Sequence, residues 1–160
     1  MVLKIGQSAP DFTLSDQRGE NITLSSLKGR WVVLYFYPKA LTSGCTLQAE
    51  NLRDHMGDFN ALGVTVIGIS ADETKTLAKF AEKHALNFTL LGDPTHKTLE
   101  TYGMWQQKSM YGRTYMGVAR STYLVNPQGK IAHFIKKANP KTHHQDIIEW
   151  LKEHGHQNAA

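Results

Sequence analysis

Residues 31–37 read WVVLYFY, seven apolar side chains in succession, six of them β-branched or aromatic. A run this short predicts a strand, and with no polar position to mark a wet face the strand has to be buried on both sides. Pro38 has no N–H to offer a ladder and ends it. VTVIGIS, residues 64–70, repeats the pattern. Strands buried on both faces need helices above and below them, and parallel strands need long crossovers, so this pair restricts the chain to an α/β architecture.

The intervening segments agree. From about Ser43, Leu52, Met56 and Phe59 follow i, i+4, i+7 spacing and predict one helix running toward Gly63. Residues 73–84, ETKTLAKFAEKH, predict a second helix with Leu77, Phe80 and Ala81 inward. FTLL (88–91) reads as a strand and THKTLETYG (95–103) as a short helix. STYLV (121–125) and KIAHFI (130–135) flank the turn Asn126-Pro127-Gln128-Gly129 and predict an antiparallel hairpin. A last helix covers about 142–153, with Ile147, Ile148 and Leu151 inward. Ahead of all these, DFTLSDQRGENIT (11–23) predicts a hairpin turning at residues 16–19. The order is that of a thioredoxin-like fold: a mixed central β-sheet flanked by helices, with an N-terminal β-hairpin extension, as one domain over 1–160. Residues 103–118, GMWQQKSMYGRTYMGV, lack periodicity and read as a long connecting loop, of the kind that often carries function.

Bulk charge excludes little. Eighteen Lys and Arg against fourteen Asp and Glu give +4, but the basic residues are scattered, and Lys136-Lys137 is too short for a nucleic-acid tract. No stretch approaches the roughly 18 apolar residues of a membrane span, and MVLKIGQSAPDFTLSD lacks a signal peptide's apolar core. The expectation is a cytoplasmic protein, with neither nucleic acid nor membrane as partner. One cysteine, Cys45, excludes a disulfide within the sequence and a multi-thiolate zinc site.

Cys45 falls beyond the carboxyl end of the strand 31–37 and in the first turn of the next helix. Ligands bind at that edge of an open α/β sheet, and the unpaired amides of a helix start favour an anion such as a thiolate. Position alone leaves a reactive thiol and a buried apolar filler about equal. Thr42 reads as a helix cap, or as a hydroxyl bonded to the thiolate or a substrate oxygen. Pro38 ends the strand, which alone would explain it, or else walls the thiolate off from water. Gln48 shares the face of Cys45 one turn on; taken alone it reads as a solvated polar residue. Arg120, taken alone, reads as an exposed strand-end charge.

YFYPKALTSGCTLQAENLRD resembles the active-site stretch of the peroxiredoxins, in particular the Q-type branch, the bacterioferritin comigratory proteins. Its Pro-x-x-x-Thr-x-x-Cys signature is matched by Pro38, Thr42 and Cys45. APDFTL, NFTLLGD, YGMW and RSTYLVNPQGKI are similar to further family segments in the same order, and Arg120 matches the family's active-site arginine. The resemblance implies a thiol-dependent peroxidase without metal or organic cofactor. The Cys45 thiolate attacks hydrogen peroxide or an alkyl hydroperoxide and becomes a sulfenic acid. Arg120, the Thr42 hydroxyl and the amides of Gly44 and Cys45 donate to the leaving oxygen, and Gln48 belongs to the substrate site. It also implies a monomer. The family's resolving cysteine is missing: Glu50 stands where many relatives carry it, read here as a solvated carboxylate, and residues 73–84 hold none. An external thiol has to reduce the sulfenic acid: thioredoxin, or glutathione with a glutaredoxin. Ser43 stands where the family commonly has proline, with a modest effect on loop stiffness expected.

A thioredoxin-like sensing or binding module, oxidised without turnover, is the alternative. A Cys–His hydrolase is a further one, but the helical rise carries His55 well along the helix from Cys45, out of hydrogen-bond reach. Eight histidines suggest metal, yet neither His143-His144 nor His154 and His156 have helical ligand spacing, and solvated side chains are expected. Asp72 and Asp93 read as turn or capping residues. Trp105, Met110, Tyr111, Tyr115 and Met116 are expected to pack the 103–118 loop down, some lining a wall for an alkyl hydroperoxide.

Overall fold

The structure is a computed structural model that describes residues 2–154. Its core is a seven-stranded sheet of order β2-β1-β5-β4-β3-β8-β9. β3 (Trp31–Phe36), β4 (Val64–Ser70) and β5 (Thr89–Gly92) run parallel at its centre. Both predicted hairpins are present and flank this centre. β8 (Thr122–Val125) and β9 (Ile131–Ile135) add antiparallel strands beside β3. β1 (Thr13–Asp16) and β2 (Asn21–Thr23) join the other edge, where Ser15 pairs with Gly92.

Every residue of β3 is buried, as the unbroken apolar run requires. Alternation along the strand divides its side chains between two cores. Trp31, Val33, Tyr35 and Tyr37 pack with residues of α1 (Ser43–Asp54), α3 (Thr74–Lys83) and α5 (His143–His154). Val32, Leu34 and Phe36 pack on the other face with Leu99 of α4 (Lys97–Thr101), Tyr102 and Met104. The alternating strands and helices were therefore legible in the apolar pattern.

Two segments differ from the sequence reading. The helix expected to run unbroken past Met56 stops at Asp54, and a separate short helix, α2 (Met56–Ala61), follows. The His55 ring contacts the Asn51 carbonyl through Nδ1 at 2.8 Å, and the His55 amide turns to Leu52 O at 3.1 Å instead. The break leaves Leu52, Met56 and Phe59 in one core, so their spacing conceals it. Residues 103–118 are no irregular loop but a hairpin of β6 (Trp105–Met110) and β7 (Arg113–Val118), pairing from Trp105↔Val118 to Met110↔Arg113. Tyr111 and Gly112, both at positive φ, make the tight turn. This ribbon stands apart from the main sheet, and most of its side chains are exposed, so no alternation marks it. Met110, Tyr115 and Met116 are exposed and Tyr111 is 98% so, contrary to their expected packing. Trp105 is the one of the five held down by a ring among the described residues, stacking on His96 at 3.7 Å.

Candidate active site

α1 begins where β3 has ended and the chain has turned across the sheet's edge. That turn is held at several points. Asp72, following β4, accepts hydrogen bonds from the Ala40 amide and the Ser70 hydroxyl, both at 2.8 Å. This matches a turn role for Asp72 and anchors residues 38–42 to the neighbouring strand's end. Asp93 does likewise after β5, accepting from the Leu99 amide at 2.9 Å. Leu41 is held at positive φ. That left-handed conformation costs a leucine free energy, and the fastened loop enforces it.

Thr42 takes the N-cap position, which makes Ser43, Gly44 and Cys45 the first three helical residues, whose amides have no acceptor within the helix. The Thr42 hydroxyl makes no cap bond; it donates to Lys39 O at 2.7 Å. The capping expectation is thus corrected. With its hydroxyl hydrogen so engaged, the Thr42 oxygen faces other groups as an acceptor, not as the donor to the leaving oxygen that the resemblance implied. Cys45 points inward and is 2% exposed.

Arg120 reaches this helix start from the segment between β7 and β8. Its Nη2 donates to Cys45 Sγ at 3.4 Å and its Nη1 to Gln48 Oε1 at 2.6 Å. Gly44 makes room for it: a Cβ there would stand 3.2 Å from Nη2. Arg120 is therefore not a free surface charge, and its carbonyl is tied to the Ala138 amide at 2.9 Å. Gln48 is not solvated either, being 1% exposed. The structure brings Cys45, Gly44, Gln48 and Arg120 into contact. Pro38 lines, with Lys39, Asp72, Trp105, Lys108 and Met116, a cleft of about 390 Å³ to whose lining none of those four contributes.

His143 enters this network unannounced by the sequence. Expected to be solvated, it is 1% exposed. Its Nδ1 lies 3.1 Å from Gln48 Nε2 and its Nε2 lies 2.7 Å from Thr122 Oγ1. Burial, with His144 and Arg120 nearby, pushes its pKa down to about 3, so it is neutral at ordinary pH. No local signal distinguishes it from His144. Below Cys45, burial raises Tyr35 well above the usual phenol range and raises Tyr37 as well, so both remain protonated. Burial also lowers Lys108, as does Arg120 more weakly, while Cys45 acts in the opposite direction.

The other charged candidates lie elsewhere. Glu50 is not simply solvated: its carboxylate lies 3.3 Å from His84 Nδ1 and 3.7 Å from Arg53 Nη1. His55 lies tilted against His144 with ring centres 4.3 Å apart. His133 and His154 stack on Trp150. Among the described residues no three His, Cys, Asp or Glu side chains gather as a metal site, and His156 lies outside those residues. No described helix is long and apolar enough to cross a membrane.

Comparison with known proteins gives the chain's family. The AhpC/TSA family profile matches residues 5–134. Over 152 residues the chain is 47% identical to peroxiredoxin Bcp of Escherichia coli K12, covering 95% of this chain and 97% of the relative. It is 41% identical to peroxiredoxin Bcp of Bacillus subtilis over 153 residues, covering 96% and 98%. Among solved structures it is similar to the bacterioferritin comigratory protein of Xanthomonas campestris, with TM-score 0.88, 29% identity and coverage of 94% and 99%. It is similar also to a cysteine-to-serine mutant of Xylella fastidiosa PrxQ, with TM-score 0.91, 26% identity and coverage of 97% and 99%.

Proposed function

The chain belongs to the AhpC/TSA family, among the peroxiredoxins of the Bcp type, and on that premise we propose that Cys45 is the nucleophile of a thiol-dependent peroxidase. The observation that carries this is the forked contact of Arg120, one arm on Cys45 Sγ and the other on Gln48. The guanidinium donates to the sulfur at 3.4 Å, and its fork has further N–H donors able to hold a peroxide oxygen.

The sulfur's electron pair forms an S–O bond to one peroxide oxygen as the O–O bond breaks. The other oxygen leaves as hydroxide or alkoxide and is protonated, and Cys45 becomes a sulfenic acid. Charge grows on the leaving oxygen, where Arg120 and the helix-start amides of Gly44 and Cys45 are preorganised to receive it. Thr42, its hydroxyl already donating a hydrogen bond to Lys39 O, accepts one from the protonated peroxide oxygen. To Pro38, which lines the cleft, we assign the shielding of Cys45 from water. The X. campestris relative is described as reducing alkyl peroxides, and the cleft beside Pro38 would admit such a substrate here.

With Cys45 the single cysteine of the sequence, a thiol from another molecule condenses with the sulfenic acid, releasing water and forming a mixed disulfide. A second thiol then releases Cys45. Thioredoxin, or glutathione with a glutaredoxin, fits this chemistry. The buried sulfur means the first turn of α1 has to open before a protein thiol can reach it. We take residues 1–160 as one domain, acting as a cytoplasmic monomer.

The test is loss of hydrogen peroxide under excess dithiothreitol, with intact mass after one equivalent of peroxide. Turnover abolished in Cys45→Ser, and one added oxygen on the unmutated chain, are expected. A Cys45→Ser protein of full activity would overturn the assignment. Oxidation of Cys45 without turnover would favour a sensor.

A further inference from the structure

The amide of Gln48 has two orientations of nearly the same shape, related by exchange of its oxygen and its NH₂. Only one suits Arg120, which has donors and no acceptor. With the oxygen toward the guanidinium, Nη1 donates at 2.6 Å. With the NH₂ there, two donors would meet at that distance, and at 1% exposure little room is left for water to separate them. Nothing within Gln48 chooses between these.

Its other neighbour holds the same choice from the opposite side. We propose that His143 is a positioning residue of the peroxidase site, fixing through Gln48 which amide atom meets Arg120 and so holding the guanidinium against Cys45. His143 Nδ1, 3.1 Å from Gln48 Nε2, accepts from the amide only if the ring proton sits on Nε2. Nε2 lies 2.7 Å from Thr122 Oγ1, which can accept that proton's hydrogen bond. Thr122 accommodates this tautomer, the tautomer holds the amide by its NH₂, and the amide seats the arginine. Each of the three is buried: Thr122 at 0%, His143 at 1% and Gln48 at 1% exposure. Packing fixes the ring as well, 5.5 Å from Tyr35. The segment preceding α5 is fastened to α1 by Asn51 Nδ2 donating to Pro140 O at 3.0 Å, so the two ends of the relay keep register.

The proposal rests on Cys45 being the peroxide-reacting thiol, but its tests do not all depend on turnover. Nitrogen NMR of the unmutated protein should show His143 neutral with its proton on Nε2 at pH 7; a proton on Nδ1, or an imidazolium, would overturn it. His143→Leu removes the acceptor, and both the peroxide rate constant and the rate of Cys45 alkylation by iodoacetamide at pH 7 should fall about tenfold. His143→Asn places an amide oxygen near the lost Nδ1 and should restore most of both rates. Equal losses in the Leu and Asn variants, each folded by thermal melting, would reduce His143 to a packing role and refute the proposal. So would an unchanged Leu variant. If the Leu variant does not fold, the tautomer in the unmutated protein decides. Failure of the peroxidase reading would be distinct: the unmutated protein would then consume no peroxide, whatever the His143 tautomer.

Discussion

Arg120→Gln removes the guanidinium that donates to Cys45 Sγ while leaving a polar side chain in its place. At 3.4 Å a unit charge pair is worth about 1 kcal/mol in a water-like medium and about 5 kcal/mol at an effective dielectric of 20. Arg120 is only part-buried, which places the interaction between these limits. A hydrogen bond to a charged partner contributes about 1.5–3 kcal/mol by mutation. The rate reports what the guanidinium gains in the transition state, where it faces the charge growing on the departing oxygen as well as the sulfur. Taking about 2–3 kcal/mol, the second-order rate constant with hydrogen peroxide should fall roughly 30- to 160-fold. Arg120→Lys keeps the charge, yet one ammonium cannot span both Sγ at 3.4 Å and Gln48 Oε1 at 2.6 Å in the same fork. It should recover part of the loss and remain about tenfold below the unmutated protein. The assay is pseudo-first-order peroxide loss at pH 7 and constant ionic strength under excess dithiothreitol, with a thermal melt to establish folding. An Arg120→Gln protein within threefold of the unmutated rate would refute the electrostatic account of this site.

Three further outcomes follow from packing and protonation. A Cβ at Gly92 would clash with the carbonyl oxygen of Asp72, a backbone atom that cannot swing away. Overpacking of this kind costs about 1–3 kcal/mol, which urea unfolding of Gly92→Ala should show. Because Asp72 also holds Ala40, that variant should reduce peroxide slowly as well. The Tyr35 hydroxyl is buried without a hydrogen-bond partner among the described residues, so Tyr35→Phe should unfold at the same urea concentration as the unmutated protein or a higher one. His143 stays neutral when folded down to about pH 3 but takes up a proton near pH 6.5 when unfolded. The unfolded chain therefore binds the extra proton between those values, and stability falls as pH drops through them, by at most about 1.4 kcal/mol per pH unit from this group. His143→Asn should show a correspondingly shallower pH dependence; an identical slope would remove His143 as its source.

What could be read from the chain depended on how local each signal was. WVVLYFY announced a strand covered on both faces because each of its positions reports its own burial. Pro38, Thr42 and Cys45 were found together because a strand end and a helix start bring eight successive residues to one place. The β6–β7 hairpin escaped notice because, exposed on most of its length, it has no buried face to imprint a period. The break at His55 escaped because the apolar spacing continues across it.

Sequence by itself settled the α/β class and the family, and it singled out the one thiol whose lack of a second cysteine points to a reductant from outside. Tertiary structure alone decided what surrounds that thiol. Arg120 is 75 residues from Cys45, and His143 is 95 from Gln48. Motif likeness could name the first pair, but no local pattern could separate a buried His143 from its neighbour His144. The direction of the Thr42 hydroxyl is a tertiary matter too. A hydrogen bond's partner depends on which groups the fold leaves without water, and that is settled only when the helices close over the sheet.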